Sequence, residues 1–260
     1  MTSFGVADEE ARQRGLEVLA ADLAALCKDY DFRQAYTSVF IRKRLEKRGI
    51  HIPSLEECLR DLAEGGYQRV LVQPSHLTPG EEYNNKILGP IRDYKKGFAS
   101  LKIGEPLFFR KGEDGGVDDY SLGLEAVWRA MAPEEGEELV LLGHGSPHWH
   151  NPVYELLQAR ADEKGIPLHI GVVEESDTPN FSMVLERLKK KGSLRLLLAP
   201  LLLSGGVHVT EDMAGEEPGS WKSRLEKAGF SLRISREGLG EHPEIRQLYL
   251  EKAKRLLVSK

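Results

Sequence analysis

Two stretches decide the fold of this chain: LRDLAEGGYQRVLVQPSHLTPGEE, from Leu59 to Glu82, and LERLKKKGSLRLLLAPLLLSGGVH, from Leu185 to His208. They align without a gap at a constant offset of 126 residues. Leu59 matches Leu185, Leu62 matches Leu188, Gly66 matches Gly192, Arg69 matches Arg195, Pro74 matches Pro200 and Gly80 matches Gly206. Each copy reads as a helix, a glycine stop, a short apolar strand, a proline and a glycine-bearing loop. Any two helix–strand units share some of this pattern, but these ungapped matches favour a true repeat, and hence two α/β halves of similar plan.

Working outward, short apolar runs alternate with helical patterns along the whole chain. Strand candidates are Gln34–Thr37, Val70–Gln73, Leu101–Ile103, Leu139–Leu142, Leu168–Val173, Leu194–Ala199 and Leu232–Ile234. Between them, as in Asp8–Leu26, leucines at 16, 19, 23 and 26 share one helical face. Pro53-Ser54 and Pro79-Gly80 read as helix starts, Gly65-Gly66 and Gly229 as helix ends. Strands alternating with helices predict parallel sheets flanked by helices. The halves are expected at 1–122 and 123–260, with the last helix free to pack back on the first half.

Of the 260 residues, 40% are hydrophobic and 30% charged, with a net charge of −5. That balance offers no basic face to a nucleic acid. No apolar run approaches the roughly 18 residues that cross a bilayer, and no signal pattern opens the chain, so no membrane partner is expected. The two cysteines, Cys27 and Cys58, have no metal-type spacing and read as buried thiols of a reducing compartment. The cytoplasm is the expected location. A phosphate-cradling glycine motif is absent, which argues against a nucleotide-binding protein.

The repeat has a chemical consequence. Eight residues past the proline, the first copy carries Glu82 and the second His208. Ligands of open α/β sheets sit beyond the carboxyl ends of strands, so equivalent loops of two halves would offer a carboxylate and an imidazole to one cleft. His144 follows another strand, in LLGHGSPHWHN (Leu141–Asn151), and Glu174 follows a third, in GVVEES (Gly171–Ser176). The glycines beside His144 remove bulk, so that backbone or ligand can come close. Two imidazoles and a carboxylate suit a divalent first-row transition metal.

Each residue also has a plainer reading. A histidine after a strand is commonly a polar loop residue, and Glu174 is equally a candidate cap for the next helix. His148 and His150 read as helix-start residues or as groups supporting the ligands. His76 stays open between these readings, and His51, His169 and His242 read as surface residues. Glu211 and Asp212 either attract a cation or hold the second nitrogen of His208. Ser220 is a candidate cap, and Trp221 either packs or lines a pocket for a flat ligand.

These stretches, GHGSPHWHNPVY, GVVEES, LAPLLLSGGVHVTEDMAG and SWKSRLEKAG, with AYTSVFIRKRL, VQPSHLTPGEEY and GLGEHPEIRQLY, together resemble the anaerobic cobalt chelatases of cobalamin biosynthesis. These are class II chelatases, structural relatives of ferrochelatase, and the resemblance spans nearly the whole chain. It implies two flavodoxin-like halves and an enzyme that inserts cobalt(II) into sirohydrochlorin without ATP. The metal is then a substrate, and no organic cofactor is expected. The family's metal-binding histidines match His144 and His208, and its acidic site residues match Glu174 and Glu82. His144, Glu174 and His208 are thereby implied as metal ligands, with Glu82 beside the two histidines as a catalytic residue. The departure is at the start, where only Met1 and Thr2 precede Ser3-Phe4-Gly5, so the first strand is expected to be shortened. The expected partners are the tetrapyrrole and a divalent ion; a homo-oligomer is compatible with the sequence. Iron insertion to give sirohaem, and tetrapyrrole or metal carriage without turnover, are the rival readings.

Overall fold

The computed structural model describes residues 1–146, 148 and 150–258, with the backbone alone at Asp114. The chain divides into two compact units, Met1–Phe109 with the C-terminal stretch from Arg246, and Arg110–Ile245. Each is a parallel α/β unit.

In the first unit, strand β1 (Thr2–Ser3) pairs in parallel with β2 (Ala35–Tyr36), in the register Thr2–Ala35 and Ser3–Tyr36. β3 (Arg69–Val72) pairs in parallel with β4 (Ser100–Ile103). A bridge between Thr2 and Pro74 joins β1 to the chain leaving β3. The Thr2 N–H donates to Gln73 O at 2.9 Å, and the Ser75 N–H donates back to Thr2 O at 2.9 Å. With two residues β1 is short, and no apolar alternation announces it. The helix Leu55–Glu64 is fixed at its start by Ser54 and Glu57, each side chain accepting from the other's backbone N–H. Its Leu55, Cys58, Leu59 and Leu62 pack with Val70 and Val72 of β3.

The second unit holds a four-stranded parallel sheet in the order β6-β5-β7-β8. Its strands are β5 (Glu138–Gly143), β6 (Leu168–Val172), β7 (Arg195–Pro200) and β8 (Ser231–Ile234). Leu139–Leu142 and Leu196–Ala199 are apolar without alternation and are at most 1% exposed. That is the pattern of strands covered on both faces. Val140, Leu142, Leu196 and Leu198 pack against Phe181, Val184 and Leu188 of the helix Phe181–Lys191 and against Met213, Trp221 and Leu225. Leu139, Leu141 and Leu197 alternate with them and so meet the other layer, equally dry. Each such leucine contributes roughly 1.5–3 kcal/mol of burial free energy.

The repeat is visible in the backbone. The helices Leu55–Glu64 and Phe181–Lys191 start at the same repeat position, capped by Ser54 and Asn180. The glycines that follow, Gly66 and Gly192, have φ of 77° and 76°. β3 and β7 both open on the matched arginines.

Two of the histidines read as surface residues are covered instead. His169 lies on β6 at 1% exposure, its Nε2 3.1 Å from the Glu138 carboxylate. Its strand is flanked on both faces, and a carboxylate at the start of β5 gives the ring a partner. The His242 side chain is 12% exposed. Cys58 is buried and Cys27 half-buried; both thiols are free, and burial pushes both up. Among the described residues no helix is long and apolar enough to cross a membrane.

His76, on the loop after β3, has both ring nitrogens shut off from water without a hydrogen-bond partner. Burial lowers its pKa from 6.5 to about 4. The folded ring stays neutral, while the unfolded chain takes up a proton below pH 6.5. Its contribution is therefore complete above pH 6.5 and is lost as pH falls towards 4. His76→Leu leaves stability at pH 7 unchanged or higher, because no buried polar atom loses a partner. It also flattens the fall in stability between pH 6.5 and 4, read as urea midpoints of variant against wild type.

Candidate metal centre

β5 ends at Gly143, and the next residue is His144. β7 ends at Pro200, and the loop beyond it opens the helical turn His208–Met213. β5 and β7 are parallel neighbours in register, so both loops leave the same edge of the sheet. There the two imidazoles meet edge to face, their ring centroids 4.5 Å apart and their planes at 85°. The two residues, 64 apart in sequence, are brought together by strand order and by the loops that leave the two strands.

Each ring has an oxygen beside Nδ1. For His144 it is the carbonyl of Gly145 at 3.0 Å. For His208 it is Oδ2 of Asp212 at 2.7 Å, one helical turn on. An acceptor at Nδ1 selects the tautomer protonated there and leaves the Nε2 lone pair for a metal. Of the two readings for Glu211 and Asp212, the structure gives the second to Asp212. His208–Met213 is a π-helical turn, a geometry frequent where a helix must aim a side chain at a site.

The two glycines around His144 serve the protein's own packing. A Cβ at Gly143 would lie 2.4 Å from the ring of Tyr154. Gly145 has φ +79°, and a Cβ there would stand 3.0 Å from Val172 Cβ and 3.1 Å from Glu174 Cβ. Close approach was the right reason for these glycines, but the groups that approach are Tyr154, Val172 and Glu174.

Glu174 follows β6, half-buried, and its N–H donates to His144 O at 3.1 Å. It is not the cap of the next helix; Asn180 is, accepting from the Met183 N–H. The backbone of Glu174 is thus tied to that of His144. Among the described residues, however, no group of three or more His, Cys, Asp or Glu side chains is gathered for a metal ion. The structure brings His144 and His208 together as a pair and does not close a three-residue set around them. Glu82 lies in the first unit, half-buried in the short helix Glu81–Tyr83 that starts from Gly80.

Asp177 was missed by sequence reasoning. It is 2% exposed and accepts from the Ser146 N–H at 2.9 Å, from the Thr178 N–H at 2.8 Å and from His150 Nδ1 at 2.8 Å. This carboxylate holds the pKa of His150 above the usual histidine value. His150 is thus joined to the buried carboxylate of Asp177. The signal available was an aspartate before Thr178-Pro179, which is too common to single out. Trp221 packs, its ring 5.0 Å from Phe181 and over Gly171, and Ser220 caps its helix.

Two imidazoles in contact at the carboxyl edge of a parallel α/β sheet make a candidate site for a divalent metal. The model of the family "Cobalt chelatase (CbiK)" matches residues 1–257, and the chain belongs to that family. The sirohydrochlorin cobaltochelatase of Salmonella typhimurium is 31% identical over 252 residues, 96% of this chain and 92% of the relative. The sirohydrochlorin cobaltochelatase CbiKC of Nitratidesulfovibrio vulgaris is 32% identical over 221 residues, 84% and 76% of the two chains. Among solved structures, SirB from Bacillus subtilis with Fe3+ superposes with a TM-score of 0.64 at 18% identity, covering 99% of this chain and 94% of the other. CbiX, a terminal enzyme of sirohaem biosynthesis in denitrifying bacteria, gives 0.55 at 19%, covering 100% and 98%. These two show the shared fold.

Gly145→Ala forces an L residue into the left-handed region, at roughly 1–2 kcal/mol, and crowds Val172 and Glu174. It is expected to lower the thermal midpoint and to weaken cobalt binding together, since both neighbours frame the His144 loop. Gly206→Ala, where an added Cβ meets nothing within 4 Å, leaves both measurements unchanged.

Proposed function

We propose that this protein inserts cobalt(II) into sirohydrochlorin as an ATP-independent chelatase. The observation that carries the reading is the pair of imidazoles 4.5 Å apart, both with Nδ1 occupied and Nε2 free. Family membership and the cobaltochelatase relatives supply the substrate class.

The reaction exchanges one cobalt(II) for the two protons on pyrrole nitrogens. His144 and His208 replace part of the ion's water and hold it by two neutral ligands. Glu174, tied to the His144 backbone, supplies negative charge and is the third ligand in this reading. A set this open holds the ion at moderate strength, so the macrocycle's nitrogens can displace it. A histidine released from the ion then has a lone pair for one pyrrole proton. Glu82, which occupies in the first repeat the position of His208 in the second, is assigned the other proton. Imidazole and carboxylate donors favour nickel and copper over cobalt by intrinsic affinity, so cobalt selection rests on supply and geometry.

Sirohydrochlorin carries a rim of carboxylates. Among cations that could meet such a rim, Arg42 is paired with Glu57 at 3.0 Å and Lys222 with Glu216. Lys43 and Arg44 are exposed on the helix Val39–Glu46, beside a Phe40 that is 69% exposed. They are the rim-binding residues in this reading. The cytoplasm fits a protein with two free thiols.

The test is anaerobic cobalt insertion by the purified protein, followed as the absorbance change of the macrocycle. His144→Ala and His208→Ala are each expected to lower turnover by roughly 10²-fold or more, since each loses a ligand and a proton acceptor. Wild-type rates in both would remove the mechanism. Faster insertion of iron(II) than cobalt(II) in direct competition would convert the reading to a sirohaem ferrochelatase. Stoichiometric binding without the metallation spectrum would convert it to a carrier.

Charge reversal of both Lys43 and Arg44 to Glu is expected to raise KM for sirohydrochlorin roughly three- to tenfold, as fits exposed ion pairs of about 0.2–1 kcal/mol each. kcat stays near wild type and the effect fades in high salt.

A further inference from the structure

The geometry points to Asp177 as the positioning residue of the cobalt site, acting through the loop that carries His144. This rests on the cobalt-insertion reading and adds to it a residue with no place in the metal's own ligand set.

The β5–β6 pairing does not stop where the strands stop. The Val173 N–H donates to Gly143 O at 3.0 Å, and the Glu174 N–H donates to His144 O at 3.1 Å. One residue further the chains must part, because Gly145 turns at φ +79°. The backbone of β6 turns too, the Asp177 N–H closing onto Glu174 O at 3.0 Å. From there the Asp177 side chain reaches back across the gap and accepts the Ser146 N–H at 2.9 Å. The carboxylate thus replaces the missing rung of the ladder. His144 is fixed on both sides, by Glu174 at its own carbonyl and by Asp177 two residues later.

The other carboxylate oxygen takes two more donors, the Thr178 N–H and His150 Nδ1, both at 2.8 Å. The Thr178 bond locks Asp177 into its own loop. The His150 bond ties down the far end of the loop that starts at His144. The Asp177 side chain is 1% exposed, while the His150 side chain is 48% exposed. A carboxylate this deep is costly unless its donors are in place. Here two backbone N–H groups and an imidazole satisfy it, and losing it would take this acceptor from the Ser146 and Thr178 N–H groups. It touches neither ring of the imidazole pair. Its effect on the metal comes through the position of the His144 backbone, on which the aim of Nε2 depends.

Outer groups that orient ligands typically change metal affinity by roughly 10–100-fold when removed. The test uses the full-length protein with cobalt(II) alone, recording the visible absorption of the bound ion, and then turnover with sirohydrochlorin. Asp177→Asn is expected to weaken cobalt binding by about 10–100-fold and to shift the bound-ion spectrum, with KM for sirohydrochlorin unchanged. His150→Ala, at a half-exposed ring, is expected to do the same to a smaller degree with an unchanged far-UV spectrum. A folded Asp177→Asn with wild-type cobalt affinity and spectrum overturns the proposal. If that variant does not fold, His150→Ala decides, and wild-type cobalt affinity and spectrum there overturn it. His144→Ala separates the two readings. If it binds cobalt as wild type does, the metal site itself is wrong and both readings fall; if it loses cobalt while Asp177→Asn does not, only the positioning role falls.

Discussion

Parallel pairing of β5 between β6 and β7 is the constraint on which the rest of the second unit depends. In a parallel sheet every strand points the same way, so the loops leaving the carboxyl ends share one edge. Hydrogen bonds at that edge continue past the strands, with Leu201 donating to Leu142 O on one side and Glu174 to His144 O on the other. His144 is therefore held between two neighbours by backbone bonds that do not depend on its side chain. The dry leucine layers on both faces keep the sheet rigid, and rigidity at the strands becomes accuracy at the first residue beyond them.

A chelatase has to bind its ion and then lose it. Closed sets of four protein ligands suit ions that stay. In the proposed site the pair of imidazoles would leave most of the coordination sphere open, and the oxygens beside the two rings sit on the Nδ1 side. Asp212 acts on His208 through one helical turn, and Asp177 acts on His144 through a loop. The two histidines are thus oriented by different devices, one local in sequence and one that spans 31 residues between Ser146 and Asp177.

The repeat shows which parts of the plan are scaffold. Helix caps at Ser54 and Asn180, left-handed glycines at 66 and 192, and strand starts at Arg69 and Arg195 coincide in the two copies. These positions meet the same backbone requirement in both. The residues at the end of the pattern, Glu82 and His208, differ, as expected where backbone geometry places a side chain without dictating its chemistry.

The sequence by itself determined the α/β class, seven of the strands, the helix starts at Ser54 and Ser220 and the repeat, because these follow from local periodicity and turn chemistry. It also singled out His144 and His208, through glycines and strand ends. Their meeting was decided only by tertiary structure, since strand order β6-β5-β7-β8 is not written in any local pattern. The same holds for β1, whose two residues have partners rather than a pattern, and for His169, hidden by helices on both faces of its strand. The role of the glycines beside His144 and the reach of Asp177 to Ser146 belong here too. Contacts between residues distant in the chain depend on which surfaces the fold stacks, and no short window of sequence carries that information.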